Sequence, residues 1–164
     1  MTTIVIGVGN PVLADDGVGL KVVQRVAELL PADSGIVVRE LHVGGVHLME
    51  AMTGYDQAII VDAMCTPNGV PGTVFFPTVE TLFNTRNTCA TPDSSLVEAL
   101  DLGRAAGVFL PSKIRIWAVE AGDLNSFGEQ LTEAVQRVVP LVADHIVDEL
   151  CSELAEEAES GECA

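Results

Sequence analysis

Short runs of apolar, β-branched residues alternate along this chain with longer segments whose apolar residues recur at helical spacing. The runs predict strands at residues 3–8, 36–41, 57–63, 72–76 and 113–120, and the segments predict helices at residues 15–30, 46–52, 92–106 and 132–150. Strands and helices in this order are typical of an α/β domain, in which helices cover a largely parallel sheet. The pattern therefore predicts a single α/β domain over residues 1–150, followed by a tail at residues 151–164.

One connection is too short for this alternation. Only residues 64–71 separate the third predicted strand from the fourth. A return to a parallel neighbour needs a crossover of about a dozen residues or more, whereas antiparallel strands can be joined by a short loop. The fourth strand is therefore predicted to run antiparallel to the others, in a mixed sheet of five strands.

The charge of the chain excludes several classes of partner. Its 164 residues include 24 acidic and 8 basic residues, for a formal net charge of −16 at pH 7. Because nucleic acids and anionic membranes attract basic proteins, neither is expected as a partner. The N-terminus shows no targeting signal, and the four cysteines form no C-x-x-C pair. Reduced thiols and a cytoplasmic location are therefore expected.

Acidic residues are concentrated at the C-terminus. Eight of them lie between Asp144 and Ala164, and no lysine or arginine lies among them. The simpler interpretation is a helix end that frays into a solvated tail. The functional alternative is a docking element for a basic partner.

Three aspartates are predicted to meet at one edge of the sheet. Asp15 and Asp16 follow the first strand, and Asp62 ends the third. Ligands bind such sheets beyond the carboxyl ends of the strands, where the strand order reverses. Carboxylates that converge there must pair with a cation, shift their pKa or repel each other, which favours a divalent metal. Asp15 or Asp16 could instead cap a helix N-terminus, and Asp15 fits that role better.

Several motifs together resemble a known family. They are Gly7-Val8-Gly9-Asn10 followed by Asp15-Asp16-Gly17-Val18-Gly19, then residues 42–45, 55–56, 59–63 and 93–100. The chain resembles the hydrogenase maturation endopeptidases over essentially its whole length. The resemblance implies a three-layer α/β/α sandwich with a mostly parallel mixed sheet and an antiparallel fourth strand. It also implies a protease that removes a C-terminal extension from the large subunit of a nickel–iron hydrogenase after nickel insertion.

The resemblance implies a metal site with one departure from the family pattern. Asp16 and Asp62 match two of the three family ligands and are also the best catalytic candidates. The third ligand is a histidine in the family, and Pro92 stands in its place here. The same motifs give the candidates for substrate contacts, which are Asn10, Asp15, Gly44 and Gly45.

Other residues could complete such a site, although each has a simpler role. They are Cys89 and Asp93 near Pro92, His42 and His47 after the second strand, and Cys65 shortly after Asp62. His42 and His47 lie five residues apart and do not share a helix face as a metal-binding pair would. A surface or partly buried position accounts for each histidine, and His145 is expected to be structural.

Three functions remain open at this stage. The first is a metal-dependent maturation endopeptidase whose acidic cleft recognises nickel in the precursor of a hydrogenase large subunit. Carboxylates bind nickel less readily than imidazole or thiolate groups do, so the ion would be held mainly by the substrate. The second is a non-catalytic relative that binds the nickel-loaded subunit, as Pro92 suggests. The third is a receiver-like domain with Asp62 as phosphoacceptor, which would need a lysine at the end of the fifth strand, whereas Lys113 begins that strand.

Overall fold

The computed structural model describes residues 1–84 and 96–161. The strands are β1 Thr3–Val8, β2 Val37–Leu41, β3 Gln57–Met64, β4 Val74–Phe75 and β5 Lys113–Glu120. The helices are α1 Val18–Leu29, α2 Gly45–Met52, α3 Val79–Asn84, α4 Leu96–Ala105 and α5 Glu133–Gly161, with a 3-10 helix at Ala14–Gly17 before α1. The predicted alternation of strands and helices is confirmed.

The strands form one mixed sheet in the order β2-β1-β3-β5-β4. β2, β1, β3 and β5 run parallel, and β4 pairs with β5 in the antiparallel direction. The antiparallel fourth strand is therefore confirmed. β4 is short, because only Val74 and Phe75 pair with β5. Most of the outer edge of β5 is consequently left without a neighbouring strand among the described residues.

Helices cover both faces of the sheet and complete the three-layer sandwich. α1 and α5 pack on one face, where Val5, Ile59 and Trp117 contribute to the core. α2 and α4 pack on the other face, against Ile60 and Ile116. β3 is buried along its whole length, since it lies in the middle of the sheet and is covered on both sides. No helix among residues 1–84 and 96–161 has the length and apolar character needed to cross a membrane.

The last helix differs from its predicted length. α5 continues to Gly161, well past the predicted end at Leu150. Most residues beyond Leu150 are good helix formers, and Glu153 pairs with Lys113 and Arg115 at the start of β5. Part of the acidic segment therefore packs against the domain instead of forming a purely solvated tail. A second difference is α3, which lies in a stretch predicted to be a loop.

Replacing Glu153 with Gln is expected to lower the free energy of unfolding by about 1–2 kcal/mol. The Glu153 carboxylate accepts hydrogen bonds from Lys113, Arg115 and Gln57 at 2.7–3.0 Å. Partial burial raises its pKa, but Lys113, Gln57 and Arg115 together hold the pKa below its ordinary value. The stabilisation is therefore present above the ordinary glutamate pKa and is lost at lower pH.

Urea denaturation at pH 7 and pH 3 measures this effect, with the exposed Glu156→Gln as the matched control on the same helix. The difference between Glu153→Gln and the wild type should shrink at pH 3. An unchanged midpoint at pH 7 would show that the end of α5 adds nothing to stability.

Candidate functional site

Asp62 lies near the carboxyl end of β3 and is paired in register with Ala118 of β5. Its neighbours at alternate positions, Ile60 and Met64, belong to the core beneath α2 and α4. Since side chains alternate along a strand, the Asp62 carboxyl group points to that same face. It is only 7% exposed, and its Oδ1 accepts a hydrogen bond from the backbone N–H of Ala63 at 2.8 Å. A carboxyl group is thus enclosed in a largely apolar layer.

Asp16 lies in the 3-10 helix that follows β1 and is half-buried. Its Oδ2 accepts a hydrogen bond from the backbone N–H of Asn10 at 2.8 Å. β1 and β3 are adjacent and parallel, so the loop after β1 lies at the edge where β3 ends. The strand order also reverses between β1 and β3, which is where open α/β sheets bind ligands.

Burial shifts the pKa of both carboxyl groups, and the charge of Asp16 adds to the shift at Asp62. Burial and then the nearby charge of Asp16 raise the pKa of Asp62 to about 8, although the hydrogen bond from Ala63 opposes the shift. Burial also raises the pKa of Asp16, against the hydrogen bond from Asn10. Near neutral pH the pair therefore carries less than two full negative charges. A bound cation would favour the ionised form of both groups.

Two glycines allow the close approach that places Asp16. A Cβ atom on Gly9 would lie 2.0 Å from the carbonyl oxygen of Asp16. A Cβ atom on Gly19 would lie 2.3 Å from the carbonyl oxygen of Val61 and 2.5 Å from that of Val8. Larger residues at either position would push the 3-10 helix and the start of α1 away from the sheet. The Gly-rich part of the motif is thus explained by packing.

Asp15 faces away from this pair and has a structural environment. Its side chain is 0% exposed. Its carboxylate accepts hydrogen bonds from the backbone N–H groups of Gly122, Asp123 and Thr132 and from the Thr132 hydroxyl, at 2.7–3.0 Å. Asp15 makes no cap at the start of its own helix; it ties the loop after β5 to the loop after β1. In this structure the carboxylate is not available for the substrate contact predicted for it.

The other predicted substrate-contact residues lie at the same edge as the acidic pair. Asn10 is half-buried, and its Oδ1 accepts a hydrogen bond from the backbone N–H of Val12 at 3.1 Å. Gly44 is the N-cap residue of α2, and Gly45 is the first residue of that helix. His42 lies between β2 and these glycines, with its Nδ1 at 3.3 Å from the carbonyl oxygen of Gly9. Asn10 also donates its backbone N–H to Asp16 Oδ2, whereas Gly44, Gly45 and His42 border the site without a described hydrogen bond to Asp16 or Asp62.

The remaining ligand candidates are dispersed. The exposed His47 pairs with Glu50 at 3.4 Å, Cys65 is a half-buried free thiol, and His145 lies on α5 beside Trp117. Within residues 1–84 and 96–161, no group of three or more His, Cys, Asp or Glu side chains is arranged to hold a metal ion. Cys89, Pro92 and Asp93, the other candidates from the sequence, lie outside the described residues.

Lys113 is not placed as a receiver domain requires. It pairs in register with Gln57 at the beginning of β3, whereas Asp62 lies near the end of that strand. The lysine is therefore at the opposite end of the sheet from the acidic pair. It forms an ion pair with Glu153 instead, at 2.7 Å.

Glu120 is a buried acid at the site's edge that the sequence did not single out. It ends β5 next to Met64 of β3 and is 1% exposed. Its carboxylate accepts hydrogen bonds from the backbone N–H and the hydroxyl of Thr66, at 2.7 and 3.0 Å. It thereby fixes the loop after β3 beside Asp62. Its position as an acidic residue at the end of an apolar strand could have identified Glu120 from the sequence, as the same position identified Asp62.

Exposed apolar side chains project from the loops at this edge. They are Val12 after β1, Val43 after β2, Val70 after β3 and Phe127 after β5. Phe127 is 88% exposed, and its neighbour Gly128 donates a backbone hydrogen bond to the carbonyl oxygen of Val12. Apolar residues concentrated around a polar centre are typical of a surface that contacts another protein.

Comparisons with known proteins agree on one family. A family model described as hydrogenase maturation protease matches residues 20–149. The hydrogenase 2 maturation protease of Escherichia coli (strain K12) is 27% identical over 122 residues, covering 73% of this chain and 73% of that protein. Among solved structures, the hydrogenase maturating endopeptidase HybD from E. coli matches with a TM-score of 0.77 at 25% identity, covering 93% of this chain and 94% of that one.

A more distant structure shares the fold. The [NiFe] hydrogenase maturation protease HycI from Thermococcus kodakarensis KOD1 matches with a TM-score of 0.66 at 22% identity, over 91% of this chain and 92% of that one. The five-stranded mixed sheet with its covering helices is therefore common to both structural relatives, and the resemblance predicted from the motifs is confirmed.

Proposed function

Because the chain belongs to the hydrogenase maturation protease family, we propose that it is the endopeptidase that removes the C-terminal extension of a nickel–iron hydrogenase large subunit after nickel insertion. The observation that carries this proposal is the pair of carboxyl groups of Asp16 and Asp62. The pair is partly enclosed and lies at the edge of the sheet where the strand order reverses; burial raises both pKa values, and the charge of Asp16 raises that of Asp62 further. A cation supplied by the substrate would favour the ionised form of both carboxyl groups.

The chemistry of the pair suits recognition of an ion that the substrate already holds. Two carboxylates form a weak nickel site compared with thiolate or imidazole groups. The protein alone would therefore bind nickel weakly, and the precursor's own ligands would provide most of the affinity. In this proposal an unloaded precursor lacks the charge that ionises Asp16 and Asp62, so cleavage waits for metal insertion.

Asp62 is also the candidate for proton transfer. The substrate's cation would lower the pKa of Asp62 from its value of about 8 in the cation-free protein, so that the ionised carboxylate can act as a general base. In its ionised form the carboxylate can accept a proton from the water that attacks the scissile carbonyl, and it can return that proton to the leaving amine. Asp16 beside it would help to hold the substrate's cation, whose positive charge would stabilise the developing oxyanion.

The exposed apolar residues around the pair support a protein substrate. Val12, Val43, Val70 and Phe127 come from four different loops at the same edge. A folded large subunit could cover these side chains while its metal centre approaches Asp16 and Asp62. The net charge of −16 would favour approach by a surface with positive potential.

The direct test is cleavage of purified large-subunit precursor, with and without nickel, followed by mass spectrometry of the released C-terminal fragment. We expect cleavage of the nickel-loaded precursor only. Equal cleavage of both forms would overturn the proposed role of nickel. An intact precursor under both conditions would overturn the proposed endopeptidase activity and leave the second candidate function, a non-catalytic protein that binds the loaded subunit.

Pro92 is the residue that favours that second candidate, because the motif resemblance implies a histidine ligand at this position. Restoring the imidazole with Pro92→His is expected to raise nickel affinity by about tenfold, or about 1.4 kcal/mol, because imidazole is a better nickel ligand than carboxylate is. Calorimetry with NiCl₂ measures the change. Pro31→His, which follows α1 and is remote from the acidic pair, is the control for a histidine added elsewhere. Equal affinities in the two variants would refute a ligand position at residue 92.

A further inference from the structure

The outer edge of β5 is open over its first half. β4 pairs only with Ala118 and Val119, while β3 pairs with β5 from Lys113 to Glu120 on the other side. Residues 113–117 therefore have a strand on one side only, within the part of the chain that the structure describes. Open strand edges present unpaired backbone groups that can accept another extended chain.

The direction of these backbone groups follows from two hydrogen bonds at the end of β5. The N–H of Ala121 bonds to Met64, at the end of β3, and the N–H of Glu120 bonds to Thr73, next to β4. Since N–H and C=O groups alternate in direction along a parallel strand, the even-numbered residues of β5 point away from β3. Ile114 and Ile116 thus direct their N–H and C=O groups to the open edge.

A groove lies along this open edge. It encloses about 450 Å³ between residues 76–80 and β5, which is within the range of about 300–1,000 Å³ found for ligand clefts. Its apolar lining includes Phe76, Ile116 and Trp117. The ring of Phe76 is 67% exposed and meets Trp117 edge to face, with centroids 4.7 Å apart.

A buried hydrogen-bond donor lies in the same lining. Arg115 lines the groove, and its terminal nitrogens bond to Glu149, Glu153 and Gln57. Its Nε is buried and has no hydrogen-bond partner among the described residues. A buried donor without an acceptor is costly, so a shift of the Arg115 side chain that lets Nε donate to a ligand carbonyl oxygen would be favoured.

We propose that this groove binds the C-terminal extension of the precursor as an added β-strand on the edge of β5. The inference rests on the proposed function and names where the substrate's extended segment docks. Main-chain groups of the extension bond to Ile114 and Ile116, one of its carbonyl oxygens accepts from Arg115 Nε, and its apolar side chains pack on Phe76 and Trp117. This is strand addition, in which the main chain supplies affinity and alternate side chains supply specificity.

The position of the groove favours this occupant over a second copy of the chain. Ile116 is two residues before Ala118, the register partner of Asp62, which corresponds to about 7 Å along the strand. β4 occupies the edge of β5 at Ala118 and Val119, so an extended segment leaves the sheet edge there and passes over β4 to reach the acidic pair. A chain terminus can enter such a groove without unfolding the rest of the substrate, whereas a second copy would have to supply a free strand.

Amide hydrogen exchange tests the docking without any substitution. The probe is a synthetic peptide with the sequence of the precursor's C-terminal extension. In the free protein, the amides of Ile114 and Ile116 should exchange faster than those of the central strand residues Ile59 and Ile60. Addition of the peptide should slow exchange at Ile114 and Ile116 by at least about tenfold. Full protection of both amides before the peptide is added would overturn the proposal, and so would unchanged exchange at saturating peptide.

Cleavage kinetics on the intact precursor supply the second test. Phe76→Ala should raise KM by roughly tenfold and leave kcat unchanged, because the groove contributes binding and no chemistry. The matched control is Phe109→Ala, whose side chain is 59% exposed and does not line the groove. Equal KM values for the two variants would overturn the docking site. If the wild type fails to cleave at all, the proposed function fails, while the exchange experiment still reports on the groove.

Discussion

Replacing Asp62 with Asn is expected to abolish proteolysis and, at the same time, to raise the free energy of unfolding at pH 7 by about 2–4 kcal/mol. The side chain is 7% exposed, and its pKa is raised from 3.8 to about 8. At pH 7 an ionised Asp62 would face both burial and the charge of Asp16. An amide of the same shape removes that cost and can still accept the hydrogen bond from Ala63.

The pH dependence of this gain has a definite sign. Because the pKa of Asp62 is higher in the folded state, the folded protein binds the proton more tightly between about pH 4 and pH 8. The contribution of Asp62 to stability is therefore complete below pH 4 and is lost as the pH rises toward 8. The stability difference between Asp62→Asn and the wild type should be small at pH 4, grow with pH, and level off above pH 8.

Urea denaturation at pH 4, 7 and 9, with cleavage of nickel-loaded precursor, measures both expected effects. The exposed Asp144→Asn on α5 is the control for loss of one negative charge, and it should change neither stability nor activity appreciably. A loss of stability in Asp62→Asn at pH 7 would mean that this carboxylate has a structural role, and it would remove the main support for the acidic pair as the functional centre. A gain in stability together with wild-type cleavage activity would show that the buried Asp62 carboxyl group lowers stability but takes no part in catalysis.

The topology of the sheet and the meeting of Asp16 and Asp62 at one edge could be predicted from the sequence, whereas the surroundings of Asp15 could not. The topology was predictable because strand periodicity and connection length are local: residues 64–71 are too few for a crossover, so β4 had to be antiparallel. The same reasoning predicted that Asp16 and Asp62 lie at one edge. Their part in metal recognition or catalysis stays a prediction until the cleavage experiments are done.

The environment of Asp15 was not predictable in this way. Its hydrogen-bond donors at Gly122, Asp123 and Thr132 are 107 to 117 residues away along the chain. Helix capping accounts for an aspartate at such a position from local sequence alone, and nothing local shows that the loop after β5 folds back onto it. The length of α5 was not predictable for the same reason. The hydrogen bond that holds its end joins Glu153 to Arg115, and these two residues are 38 positions apart in the chain.

Replacing Asp15 with Asn is expected to lower the free energy of unfolding by about 3–5 kcal/mol at pH 7. Four donors converge on the two carboxylate oxygens, and three of them bond to Oδ2. An asparagine has one acceptor oxygen, so its NH₂ group would face at least one of these donors. The exposed Asp33→Asn in the loop after α1 is the control for the same chemical change, and its free energy of unfolding in urea should stay within about 0.5 kcal/mol of the wild type.

The same variant separates the structural role of Asp15 from the substrate contact predicted from the motifs. If Asp15 only joins the two loops, the activity of Asp15→Asn should follow its folded fraction, and KM for the precursor should equal that of the wild type at a temperature where both are folded. If the carboxylate contacts the substrate, KM should rise while the protein is still fully folded. A small stability loss with a raised KM would require the loops around Asp15 to open when the precursor binds. The two variants are expected to behave differently. Asp15→Asn should lose stability because Asp15 maintains the fold, whereas Asp62→Asn should gain stability and lose activity because Asp62 acts on the substrate.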